Sequence, residues 1–133
     1  MNSNIVYPII IIINIFCGVG LLIGVFTDPF EFLSPYFKGE IEDELILFAQ
    51  SIVNVTAVHQ IAIGLFISVL WKSKLDNESN KKVFLAYSVF GGTVLLVALY
   101  NHFFMGGGPP IPILIIIISA TLLSFYSSKF SKY

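Results

Sequence analysis

The sequence predicts an all-α polytopic membrane protein, with four transmembrane helices in an antiparallel bundle and both termini on the cytoplasmic side. Three observations carry that prediction: an apolar composition, charge-free runs of spanning length, and lysines gathered on one face. Hydrophobic residues make up 56% of the 133 residues and charged residues only 11%, against roughly 25% charged in an average soluble domain. A short chain has a large surface for its volume and cannot hide so much apolar side chain in its own interior. Lipid is the solvent that suits it. The seven basic residues are all Lys, which argues against phosphate clamps and nucleic-acid readout, where the guanidinium fork is favoured. Cys17 is the single cysteine, so an intrachain disulfide or CxxC site is excluded.

The first span covers about residues 6–26, an almost wholly apolar stretch with no charge before Asp28. About 20 apolar residues at 1.5 Å rise cross a hydrocarbon core of about 30 Å. A cleaved signal peptide fits poorly, because the run is too long and lacks both a basic start and a small-x-small cleavage site. The second span is placed at 45–71, the third at 83–104 and the fourth at 111–127, in one domain without a linker. No charge separates the last two spans. Gly106-Gly107-Gly108-Pro109-Pro110-Ile111-Pro112 does so instead, since glycines cost backbone entropy and prolines clash with the preceding turn. Pro110 or Pro112 is suited to open the fourth helix. The outer loop, 27–44, begins with an aromatic half (Phe30, Phe32, Tyr36, Phe37) expected along the outer interface. It ends in an acidic half, Glu40, Glu42, Asp43 and Glu44, suited to a helix N-terminus and without EF-hand ligand spacing.

Orientation follows from lysine. Lys72, Lys74, Lys81, Lys82, Lys129 and Lys132 share one face under a four-span topology, leaving only Lys38 on the other. Basic residues near span ends are retained in the cytoplasm, so the chain is expected to be N-in and C-in, in the inner membrane of a bacterium. Trp71, Tyr87, Phe125 and Tyr126 are expected near the inner interface, where amphipathic rings are favoured.

No Asp, Glu, Lys or Arg falls within a span. Coupled carriers, pumps and voltage sensors depend on intramembrane ionisable residues, so that class is disfavoured. His59 and His102 are the residues that can carry a proton within the bilayer. At about 100° per residue, Asn14, Cys17, Gly18 and Leu21 share a face of the first span, Thr56, Gln60 and Gly64 one of the second, and Ser88, Gly91, Gly92, Leu95, Leu99 and His102 one of the third. Gly20 and Gly24 add a GxxxG spacing. Such small and polar faces serve as seams between helices. The functional alternative is a polar ligand pocket in the outer half of the bundle, formed by Asn54, His59, Gln60, Tyr100, Asn101 and His102. Haem held by both histidines needs them at one height. Their positions in the second and third spans differ by about 10 Å or more at 1.5 Å per residue. A quinone or lipid held by hydrogen bonds is geometrically easier. A metal site lacks a third ligand, no catalytic nucleophile stands out, and the triple glycine lacks the Lys-Ser/Thr of a phosphate loop.

The Gly18–Gly24 segment, the run His59-Gln60-Ile61-Ala62-Ile63-Gly64-Leu65, and the Gly106–Pro112 turn before an apolar last helix carry a resemblance. Together the chain resembles the DoxX-like group of small four-helix membrane proteins over most of its length. That group is associated with a quinol oxidase and with redox or thiol stress. The resemblance implies an accessory or quinone-linked role and transfers no catalytic residue; Cys17 matches no cysteine pair. The expected function is thus an accessory or structural subunit, or a hydrophobic small-ligand binder, with no resident cofactor. The alternatives are a quinone- or haem-linked redox protein, or a transporter or channel made by oligomerisation. The expected partners are the lipid bilayer and another membrane protein or further copies of the chain, not nucleic acid.

Overall fold

The structure, a computed structural model, describes residues 2–34, 37, 42–105, 109 and 111–130. The Gly106–Gly108 and Pro110 part of the expected turn lies outside the described residues, as do Pro35, Tyr36, Lys38, Gly39, Glu40 and Lys132. Every regular element among the described residues is helical: α1 (Ser3–Thr27), α2 (Pro29–Leu33), α3 (Asp43–Lys72), α4 (Asn77–Tyr100) with a π-helical turn over Asn101–Met105, and α5 (Ile111–Phe130). α1, α3, α4 with its π turn, and α5 are long and apolar enough to cross a membrane.

Helix boundaries follow local chemistry rather than the edges of the charge-free runs. The side chain of Asn2 accepts from Asn4 N–H and caps α1, so the helix begins three residues before the apolar run. Asp43 and Glu44 sit in the first turn of α3 and Lys72 in its last, each matched to the helix dipole. At 30 residues, α3 is about 45 Å long, more than a bilayer core requires. α4 starts at Asn77 instead of Val83 because Asp76 caps it, accepting from the Ser79 N–H at 2.9 Å and the Ser79 hydroxyl at 2.7 Å. A Glu78–Lys82 ion pair one turn apart supports that polar start. The Ser79 donors hold the Asp76 carboxyl below the ordinary aspartate range. The folded value is the depressed one, so this cap contributes fully above the ordinary value of about 3.9. It is lost as pH falls through the lower folded value. Amide exchange at Ser79 is therefore expected to accelerate only below about pH 4, and in Ser79→Ala the same loss should begin at higher pH.

The outer loop holds a helix that composition alone did not reveal. Asp28 caps α2, its carboxylate accepting from Glu31 N–H at 2.9 Å, and Pro29 occupies the first position, where its missing N–H costs nothing. Phe32 lays its ring against Gly24, and Leu33 is buried at 2% exposure. The aromatic segment thus packs back on α1 and α3. The Gly20–Gly24 spacing is accordingly no helix–helix seam: Gly24 receives Phe32, and nothing lies within 4 Å of a Cβ placed at Gly20.

Two helix pairs form the body, α1 with α3 and α4 with α5. A Cβ at Gly18 would lie 2.6 Å from the Ala57 carbonyl oxygen, and one at Gly64 would lie 2.7 Å from Ile15. Further along the same seam, Trp71 Nε1 donates to Asn4 Oδ1 at 3.3 Å. Gly91 similarly admits Thr121 of α5. The pairs meet in a cluster of Val6, Tyr7, Ile10, Ile67 and Phe84, flanked by Ile63, Tyr87 and Leu123. Tyr7 and Phe84 rings are 4.7 Å apart there. The cluster belongs to the half of the bundle nearest the lysine-bearing loop. α3 and α4, although joined by a short turn with Lys74 at φ 48, share no extended seam.

Candidate functional site

The polar residues inside the bundle divide into a paired set and a scattered set. The paired set joins α1 to α4. Tyr7 donates its hydroxyl to Asn80 Oδ1 at 2.6 Å, and Asn80 Nδ2 in turn donates to Leu75 O at 3.0 Å. Two turns further along, Asn14 Nδ2 donates to Tyr87 Oη at 2.6 Å and to Ile10 O at 2.8 Å. Tyr7, Asn14 and Asn80 are all buried, so each bond forms where water cannot compete. Both pairs span the same sequence separation of 73, and the roles are exchanged: tyrosine then asparagine on α1, asparagine then tyrosine on α4. The neighbouring serines of α5 are self-contained. Ser124 and Ser127 are fully buried, and each donates to the carbonyl four residues before it.

The scattered set includes the six residues expected to form a pocket. Asn54 and Gln60 are half-buried on α3, and the Asn54 Oδ1 is enclosed without a hydrogen-bond partner among the described residues. His59 is exposed, its Nδ1 3.0 Å from the Val55 carbonyl. Tyr100 is exposed and stacks on Phe104 at 5.4 Å. Asn101 and His102 are half-buried in the π turn, where His102 meets Phe103 edge-on. No hydrogen bond or ring contact among the described residues joins the α3 members to the α4 members. The described residues also contain no cluster of three His, Cys, Asp or Glu side chains able to hold a metal.

Two shallow concavities lie elsewhere on the described surface, and none of the six residues lines either. One of ≈ 400 Å³, lined by Gly24, Thr27, Asp28, Glu31 and Phe32 among others, lies at the α1–α2 corner. The other, ≈ 280 Å³, is a groove on α3 itself between Ser51, Ile52, Val55 and Thr56. Its walls are the turn before His59. α3 packs on α1 through Ala57, Ile61 and Gly64, and the opposite side carries exposed Ile52, Val55, His59 and Phe66.

Sequence reasoning missed the Tyr7–Asn80 and Asn14–Tyr87 pairs. The signal was present as seven-residue spacings, Tyr7 to Asn14 and Asn80 to Tyr87, which keep both members of each set on one helix face. Asn80 lies before the third charge-free run, so span length alone leaves it outside the bundle. A helix extended by its Asp76 cap brings it into the bundle.

Four apolar helices of spanning length define the class: a multi-pass helical membrane protein. Within that class no protein-family model matches the chain, and neither a curated protein nor a solved structure matches it significantly.

Proposed function

We propose that this chain is a non-enzymatic accessory or structural subunit of a larger membrane assembly. In this reading it is an antiparallel four-helix bundle with both termini cytoplasmic, related in architecture to DoxX-like proteins. Support for the arrangement comes from the seams. Along α1 and α3 the contacting numbers run in opposite senses, Asn4 with Trp71 and Gly18 with Ala57. Along α1 and α4 they run together, Tyr7 with Asn80 and Asn14 with Tyr87. Lys72, Lys74, Lys81, Lys82 and Lys129 then gather on one face, which the positive-inside rule assigns to the cytoplasm.

The observation that carries the subunit reading is His59 on the free side of α3. Ionisable residues in spanning helices almost always face a bundle interior or a water-filled cavity. Among the described residues His59 faces neither, which supports a neighbour from another polypeptide as the group that covers it. The paired polar groups of α1 and α4 and the buried serines of α5, by contrast, are bonded to each other or to their own backbone, as in a structural seam.

A photo-crosslinking amino acid at position 59 tests this in native membranes, with position 96 as the comparison because Leu96 is 72% exposed on α4. Protein adducts are expected from position 59 and lipid adducts alone from position 96. Lipid adducts alone from both would remove the basis for the subunit reading.

A further inference from the structure

We infer that the neighbour covering the free side of α3 is a second copy of this chain, seated through the exposed side of its α5, with Ser119 donating a hydrogen bond to His59. This deepens the subunit reading and rests on it.

The argument begins with the tautomer of His59. A carbonyl can only accept, so the 3.0 Å contact between Nδ1 and Val55 O requires the proton on Nδ1. In the neutral ring Nε2 is then left as an acceptor, on the exposed side of α3 opposite its contact with α1. What it needs is a donor at membrane depth.

Hydroxyls along the helices have mostly spent their proton at home. Ser51, Thr56, Thr93 and Ser124 each donate to the carbonyl four residues earlier in their own helix. Ser119 is exposed on α5 and bonds to no described residue. It is a donor on an exposed helix surface without an acceptor among the described residues.

The two groups lie at overlapping depth. The cluster that ties the pairs together involves Ile63 and Ile67 of α3 and Leu123 of α5. Outward from these residues His59 lies four to eight positions away and Ser119 four, about 6–12 Å and about 6 Å at 1.5 Å per residue. One turn beyond His59 is the ≈ 280 Å³ groove between Ser51, Ile52, Val55 and Thr56. One turn beyond Ser119 is Ile115, 57% exposed, an apolar knob for that groove. Ala62 on α3 and Ser119 itself are small, which lets the helices approach closely.

The chemistry also selects the type of interface. A two-fold contact of α3 with α3 would bring two Nε2 acceptors together with no proton between them. The α3-to-α5 contact pairs acceptor with donor and leaves each copy with one of each still free. Such a head-to-tail interface propagates around a ring of copies.

Two differently tagged chains, both Cys17→Ser, are co-expressed, one carrying His59→Cys and the other Ser119→Cys, and oxidised in membranes. The mixed-tag disulfide dimer is expected at several-fold higher yield than with His59→Cys in both or Ser119→Cys in both. An equal or higher yield from the paired His59→Cys chains overturns the α3-to-α5 assignment. In the unmodified background, Ser119→Ala should weaken self-association roughly 3- to 30-fold, the range of interhelical hydrogen bonds in membranes. Adding His59→Phe should then weaken it little further. Ser119 is exposed, so the single variant tests association without disturbing the bundle. Unchanged association in Ser119→Ala refutes the pairing. If the crosslinker at position 59 captures a different protein, the subunit reading stands and the second copy is wrong; if it captures lipid alone, both fall.

Discussion

Gly18→Ala is expected to destabilise the bundle by about 1–3 kcal/mol, the usual cost of adding a methylene-sized group to a packed interior. The same change at Gly20, two residues away, is expected to be neutral or stabilising. The contrast is set by what each added methyl would meet. At Gly18 it would lie 2.6 Å from the Ala57 carbonyl oxygen and 3.1 Å from the Ile61 nitrogen, both backbone atoms of α3. Backbone in a helix cannot swing aside as a side-chain tip can, so α3 must move bodily, and the contacts on either side of Gly18 loosen with it. At Gly20 the methyl meets nothing within 4 Å, and alanine is the better helix former by up to about 1 kcal/mol. Unfolding midpoints in mixed micelles of increasing denaturing detergent measure both. Equal midpoints for the two variants would show that α1 and α3 do not approach at Gly18.

That contrast also shows how the sequence could be read and where it could not. Its place beside Asn14, Cys17 and Leu21 at helical spacing assigns Gly18 to a seam, and the structure does put α3 there. Periodicity names a face because the helix repeat fixes which residues stand together. It does not name the partner, since lipid and a neighbouring helix are equally apolar. Gly20 and Gly24 illustrate the limit: the spacing suits a helix seam, yet Phe32 of α2 occupies one glycine and the other is open. The six outer-half residues illustrate it from the polar side. Their abundance on the second and third spans was legible, but whether those spans face each other there depends on tertiary packing. In the structure α3 leans on α1, α4 leans on α5, and no extended seam connects α3 to α4. The charge-free runs located every long helix but set α4 to begin late, because a membrane boundary and a helix boundary are different things. Asp76 and its Ser79 donors set the helix start, and Asn80 enters the core as a result.

The second large effect is expected at the paired tyrosines and asparagines. Tyr87→Phe removes the acceptor of one Asn14 N–H inside the bundle, and Tyr7→Phe leaves Asn80 Oδ1 without its donor. An enclosed polar group that loses its partner costs about 1–3 kcal/mol, and each substitution deletes only an oxygen, so packing volume is nearly kept. The ring of Tyr7 still stacks on Phe84, which separates the hydrogen bond from the aromatic contact. Asn14→Leu alone strands nothing on Tyr87 but a hydroxyl and should cost less than Tyr87→Phe. Joining the two, Asn14→Leu with Tyr87→Phe, replaces both partners by apolar groups, a change that can be nearly neutral. The double variant is therefore expected to be more stable than the sum of its singles implies, by about 0.6–2 kcal/mol, the strength of one interhelical hydrogen bond in a membrane. Strict additivity would show that Asn14 and Tyr87 do not bond across α1 and α4. Because these two pairs are side-chain hydrogen bonds that tie the α1–α3 pair to the α4–α5 pair, their loss should also be visible as structure-wide loosening. Disulfide trapping between residues on α1 and α4 should broaden from the 7/80 and 14/87 levels to neighbouring positions in Tyr7→Phe with Tyr87→Phe, while trapping between α1 and α3 at the Gly18 level stays as it was.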